Sequence, residues 1–178
     1  HVFYGFDPDS YLSGGTVAVL PDQSTFRAGV TTVVDAGGAG WRSFPTFKKN
    51  IIDVSKTRVL SLLNIVGEGM RGIEKYEQNV SDTDAKKTAE VALANKNDVV
   101  GFKVAHFTGS EWTPISRGVE AGKLANMPVM IDLNTLFISI EELFTKYLRP
   151  GDIYTHTFIQ SSRGVVEPIV DLKTKRFK

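Results

Sequence analysis

The chain reads as an α/β protein built on a parallel sheet, on three observations. Aliphatic and β-branched runs alternate with helix-patterned stretches, at intervals of about 25 to 45 residues, the signature of strand–helix–strand units with right-handed crossovers. The runs are apolar throughout rather than alternating, as in strands buried on both faces. No linker, low-complexity segment or heptad run interrupts the pattern. Two architectures satisfy this: an open doubly wound sheet, or most of a (β/α)8 barrel. A whole barrel needs about 250 residues. The second reading is therefore a partial barrel of about six parallel strands spread over residues 1–178.

Taken in order, Val2-Phe3-Tyr4 is suited to the end of a first strand, and Asp7 to Gly15 is rich in turn residues. Gln23 to Ala28 is a short helix closed by Gly29. Val30 to Asp35 is a buried strand, and Asp35-Ala-Gly-Gly-Ala-Gly40 is a loop in which backbone can approach a ligand closely. Phe44, Phe47, Ile51 and Val54 share one helical face. Arg58 to Val66 is the next strand, followed by a loop punctuated by Gly67, Gly69 and Gly72.

Ser81 to Asp84 has the polar character of a helix start, and the helix runs to about Asn95. Val99 to Phe107 is a strand with a lysine inside it. Thr113-Pro114 starts a helix, with Thr113 as cap, that ends near Ala125. Pro128 to Leu133 is a strand, and Ser139-Ile-Glu-Glu142 is a capping box opening a helix to Tyr147 or Leu148. Pro150-Gly151 breaks that helix before the strand Asp152 to Phe158, and Val165 to Leu172 is a further extended segment.

Composition narrows the function classes. The chain is 42% hydrophobic and 23% charged with net charge +1, which gives no basic field for nucleic acid or an anionic membrane surface. There is no cysteine, so disulfides and thiolate metal sites are excluded. No apolar run is long enough to span a bilayer as a helix. A start at His1-Val-Phe and an end at Lys-Arg-Phe-Lys178 both look cut, so a fragment is expected. The compartment is not readable, with the cytoplasm favoured and an upstream signal peptide outside this chain compatible. The partner expected is a small molecule, and a homo-oligomer is compatible.

The informative residues are the polar ones at strand ends. The three histidines, His1, His106 and His156, each sit at or just after an apolar run. Asp35, Asn64, Lys103 and Asp132 lie in or at the ends of strands, and in a parallel sheet all of these converge on one face. A lysine in mid-strand is costly unless paired, modified or set against a metal. Lys103 can reach Asp132 as an ion partner, or the cluster can be an N/O-type metal site. The plainer readings are rim histidines held by hydrogen bonds, Asp35 capping its glycine turn, and Asn64 bonding a neighbouring loop. His106 lies three residues past Lys103 and so falls on the other side of an ideal strand, which suits a substrate contact better than a metal ligand. Gly37, Gly38 and Gly40 lack the spacing of a dinucleotide fingerprint.

Four segments also carry a resemblance. His1-Val-Phe3 resembles the tail of the His-x-His motif of the amidohydrolase superfamily. Thr31-Thr-Val-Val-Asp-Ala-Gly-Gly-Ala-Gly40 resembles the second-strand segment of its dihydroorotase-like and deacetylase-like metallohydrolases. Gly101-Phe-Lys-Val-Ala-His106 is similar to the segment with their carboxylated lysine, and Arg149-Pro-Gly-Asp-Ile-Tyr-Thr-His156 to the segment with a metal-binding histidine.

The resemblance implies a TIM-like barrel with one or two divalent metal ions, zinc as a rule, and carbon dioxide as a lysine carbamate. It implies His1, Lys103 and His156 as metal ligands, with Asp132 standing where these enzymes usually carry a histidine. His106, Asn64 and Asp35 are then candidates for the substrate side. The general-base aspartate would lie beyond Lys178, so this chain alone is expected to be inactive. The reaction implied is hydrolysis of a C–N bond in a cyclic amide or N-acyl compound. The competing expectation is a barrel homologue that has lost catalysis and serves as a binding or scaffold protein, for which Asp132 is the argument.

Overall fold

The computed structural model describes residues 1–5, 14–72, 74–132 and 138–156, and the backbone of 170–171 and 176–177. Five parallel strands form one sheet: β1 (Thr32–Gly40), β2 (Arg58–Asn64), β3 (Val99–Ala105), β4 (Val129–Asp132) and β5 (Ile153–Tyr154), in that spatial order. Strand order follows chain order without a reversal. A doubly wound sheet needs a reversal to make its switch-point crevice, so the open-sheet alternative is corrected to a singly wound barrel segment. Residues 1–5, the expected end of a first strand, are irregular here but are pinned to β1 by the Asp35 carboxylate. A two-residue ribbon pairs Val170–Asp171 with Arg176–Phe177. Most of the extended segment expected from 165 to 172 lies outside the described residues.

The helices cover one face of the sheet. α1 (Pro21–Thr25) runs into a 3-10 turn ended by Gly29 in the left-handed conformation, φ 70°. α2 (Phe44–Phe47) passes into a π turn over Lys48–Ile52. The wider turn rotates the following residues, so Phe44, Phe47 and Ile51 are buried while Val54, expected on the same face, is exposed. α3 (Ala85–Ala94) is capped by Asp84, whose side chain accepts from the Lys87 amide.

α4 (Thr113–Ala125) begins one residue earlier than expected. Trp112 is its cap residue and Thr113 is already helical, because Trp112 stacks on Tyr147 at 4.4 Å and fixes the entry of the chain. Its Gly118 and Gly122 lie against Val104 and Val129, where a Cβ would collide, so small residues set how closely α4 lies on β3 and β4. α5 (Ile140–Glu142) has the expected Ser139 cap and continues as a π turn to Tyr147.

Phe102, Val104, Val129 and Ile131 point from the sheet into this helical layer and are fully buried. By the period of two along a strand, Lys103 and Asp132 point to the opposite, barrel-interior face. β1 is longer than expected: pairing continues through Gly40, where a loop was anticipated from the glycines. A Cβ on Gly38 or Gly40 would strike the carbonyl of Phe3 or Val66, so glycine here serves close backbone approach rather than turning.

The segment Arg149-Pro-Gly-Asp152 is a staple at the start of β5. Arg149 donates through Nε and Nη2 to the Asp152 carboxylate at 3.0 and 2.8 Å, and Nη2 also reaches the Met127 carbonyl. Asp152 accepts from the Val129 and Arg149 amides as well. Burial pulls the Asp152 carboxyl upward, but the Arg149 hydrogen bonds and the two amides together outweigh it and hold it below the ordinary range. A carboxylate with a depressed folded-state value stabilises fully above its unfolded value near pH 4, and that contribution is lost as pH falls through the lower folded value. Asp152→Asn is therefore expected to cost about 2 kcal/mol at pH 7 and to flatten the fall of stability below about pH 4. Urea midpoints between pH 3 and 7 measure this, and an unchanged acid limb rules it out.

Candidate active site

The candidate site lies where β3, β4 and β5 end. Lys103 is 3% exposed, although it carries an amine. Its stem runs over Gly37, φ 99°, where any side chain would overlap the lysine methylenes. In register, Lys103 faces Asn64 of β2 and Met130 of β4, and Asp132 lies two residues beyond Met130 on the same side. This offset brings Lys103 Nζ to Asp132 Oδ2 at 2.9 Å, with Met130 Sδ at 3.6 Å. Lys103 as an amine thus has Asp132 as its ion partner.

Two histidines meet the same carboxylate oxygen. His156 Nε2 is 3.3 Å and His106 Nε2 is 3.8 Å from Asp132 Oδ2. Both histidines have left-handed backbone, φ 55° for His106 and 59° for His156. Such geometry is unfavourable for a side-chain-bearing residue and clusters where structure over-determines it, often at functional sites. It also explains why strict alternation misplaced His106. The strand ends at Ala105, and the left-handed turn carries the imidazole back toward the interior. Burial pulls the Asp132 carboxyl upward, but the charge and hydrogen bond of Lys103, with smaller help from His106 and His156, hold it below its ordinary value.

Asp35 and His1 form a neighbouring cluster. Asp35 is buried and accepts from the amides of Val2 at 2.8 Å, Phe3 at 3.1 Å and Gly38 at 2.6 Å, with His1 Nδ1 at 3.4 Å. Burial pushes its carboxyl up against these three donors. The turn-capping reading of Asp35 is borne out through Gly38, and the carboxylate also anchors the 1–3 segment. Asn64 is buried, donates to the Gly37 carbonyl and accepts from the Val66 amide, which is the loop-bonding role expected of it.

One residue escaped the sequence reading. Glu77 is buried, and both its carboxylate oxygens lie 3.1 Å from His106 Nδ1. It sits in an irregular stretch without periodicity, and only its place in the loop following the Gly67–Gly72 turn hinted at a site role. Its hydrogen bond raises the His106 imidazole above its ordinary value, against the opposing effect of burial.

No protein-family model matches the chain. A deacetylase from Brucella anthropi is 32% identical over 166 residues, covering 89% of this chain and 41% of that protein. A deacetylase from Agrobacterium fabrum is 31% identical over 166 residues, covering 89% of this chain and 40% of that protein. The crystal structure of a dihydroorotase superposes with TM-score 0.76 at 28% identity, over 92% of this chain and 44% of the other. That of an adenine deaminase gives TM-score 0.75 at 24% identity, over 89% and 42%. These likenesses, with the strand-end residues, are to the amidohydrolase superfamily. The chain spans about two-fifths of the length of the curated relatives it matches.

The fold is that of part of a TIM barrel, and its polar cluster lies at the C-terminal ends of the strands, where such barrels place chemistry. The ligand candidates divide into two groups. Lys103, Asp132 and His156 converge, with His106 beside them, while His1 is turned onto Asp35. Among the described residues no three His, Asp or Glu side chains stand ready to hold a metal ion. No described helix is long and apolar enough to cross a membrane.

Proposed function

We infer that the whole protein is a metal-assisted hydrolase of C–N bonds in N-acyl or cyclic amide substrates, as its deacetylase and dihydroorotase likenesses suggest. The observation that carries this is the buried Lys103 amine and the His156 imidazole meeting one oxygen of Asp132 at the strand ends. Attack of the neutral Nζ on carbon dioxide forms the C–N bond of a carbamate and releases one proton. Lys103 then becomes an anion beside Asp132, a pair of like charges that a bound divalent cation would offset. Carbamylated Lys103, Asp132 and His156 would hold it, with His1 the further candidate ligand. A bound zinc or similar ion supplies Lewis-acid activation of water and of the scissile carbonyl.

The chain's own residues do the rest of what can be assigned. Lys103 is held out of solvent, with its stem over Gly37 and its head beside Met130 Sδ. Asn64 fixes the Gly37 carbonyl and Val66 amide, which sets the floor under that stem. His106 stands on the substrate side of Asp132.

One observation favours the scaffold reading: the unmodified Lys103–Asp132 pair is complete and needs no metal. Metal analysis and hydrolysis by the full-length protein, loaded with zinc and bicarbonate, separate the two. N-acetyl amino acids and a cyclic ureide are the substrates to offer. The hydrolase reading expects about one or two metal ions per chain, and a loss of at least about 100-fold on Lys103→Ala. A metal-free protein that cleaves none of these substrates leaves the scaffold reading standing.

A further inference from the structure

Resting on that functional reading, we propose that Glu77 is a positioning residue of the active centre, which holds His106 through Nδ1 so that Nε2 alone meets the substrate. Four observations carry this. A carboxylate can only accept, and both Glu77 oxygens lie 3.1 Å from His106 Nδ1, so the proton there belongs to Nδ1. The ring is thereby fixed with Nε2 directed at Asp132 Oδ2, 3.8 Å away, too far for a direct hydrogen bond.

The main chain of His106 is held by the neighbouring residue of the same loop. Gln78 Nε2 donates to the His106 carbonyl at 2.7 Å, and Gln78 Oε1 accepts from Thr108 N and Oγ1 at 2.9 and 3.0 Å. The His106 amide donates to the Asp132 carbonyl at 2.8 Å, which ties the same turn to β4. Consecutive residues Glu77 and Gln78 thus clamp the ring and the backbone of one left-handed histidine. A buried carboxylate is expensive to maintain for backbone support alone, which Gln78 already provides.

The roles separate experimentally on the full-length protein. With the N-acetyl amino acid it cleaves best, Glu77→Met is expected to lower kcat about 10- to 100-fold with KM within about twofold. Glu77→Gln, whose amide oxygen can still accept from Nδ1, is expected to recover much of that loss. Gln78→Ala reports the cost of loosening the turn itself. In nitrogen NMR, with His106→Gln used for assignment, the Nδ1-protonated ring of the parent is expected to lose its fixed tautomer in Glu77→Met.

A Glu77→Met variant with parental kcat, or one whose loss Glu77→Gln does not relieve, overturns the proposal. So does a His106 resonance that ignores the substitution. If the parent cleaves no substrate offered, the hydrolase reading falls, and the tautomer measurement alone still decides whether Glu77 fixes His106.

Discussion

Asp132→Ala is expected to destabilise the fold by about 2–4 kcal/mol, because it leaves the Lys103 ammonium buried without its carboxylate. Removing one member of a buried pair costs more than the pair was worth, since the abandoned charge keeps its desolvation penalty. The pair is not fully enclosed: the Asp132 side chain is 13% exposed and that of Lys103 4%, which places the figure below the fully buried limit. Lys103→Met in the Asp132→Ala background removes the abandoned charge and is expected to restore most of the loss. Urea unfolding of the four proteins of that cycle, without added bicarbonate or metal, gives the coupling directly. Simple additivity of the two substitutions excludes the pair as a stabilising unit.

Asp35→Ala is the second large effect, at about 3–5 kcal/mol, because three buried amides lose their acceptor together. Those amides belong to two separate segments, Val2-Phe3 and Gly38. The residue joins the start of the chain to β1, and Phe3 in turn packs on Phe47 of α2 at 4.9 Å between ring centres. Asp35→Asn keeps the shape and one carbonyl oxygen and is expected to cost less than half as much. Amide exchange is the decisive measurement: Val2, Phe3 and Gly38 lose protection in Asp35→Ala. Unchanged protection at Val2 and Phe3, whose bonds to Asp35 span more than 30 residues, refutes the anchoring role.

Much of this architecture was legible because burial on both faces leaves a plain signature. Arg58–Asn64, Val99–Ala105 and Val129–Asp132 are short, mostly apolar runs rich in aliphatic residues, the pattern of strands packed between two layers. Asp84 and Ser139 announced helix starts by the chemistry of their side chains. What the sequence hid depends on close contact rather than pattern. The glycines of β1 looked like a loop because glycine is a poor strand former, yet carbonyls from Phe3 and Val66 occupy the space their Cβ atoms would take. The π turn after Phe47 breaks a 3.6-residue period that looked intact as far as Val54.

The site divides in the same way. Lys103, His156 and Asp132 could be singled out because polar residues are costly at the ends of buried runs. Their convergence followed from the parallel sheet. His106 was placed on the wrong side by alternation, since no periodicity reveals a left-handed φ of 55°. Glu77 was not legible because its partner lies 29 residues away, beyond α3 and β3.

The diagonal reach from Lys103 to Asp132 has a consequence for assembly of the sheet. The pair forms only when Lys103 lies opposite Met130. A slip of β4 by one residue turns Asp132 toward the helices and offers the lysine Ile131 instead. Every such mispaired sheet buries a lone ammonium, and so carries a penalty that the native pairing escapes. The Lys103–Asp132 contact thus makes one strand register cheaper than its neighbours, so the pair specifies alignment as well as stabilising it.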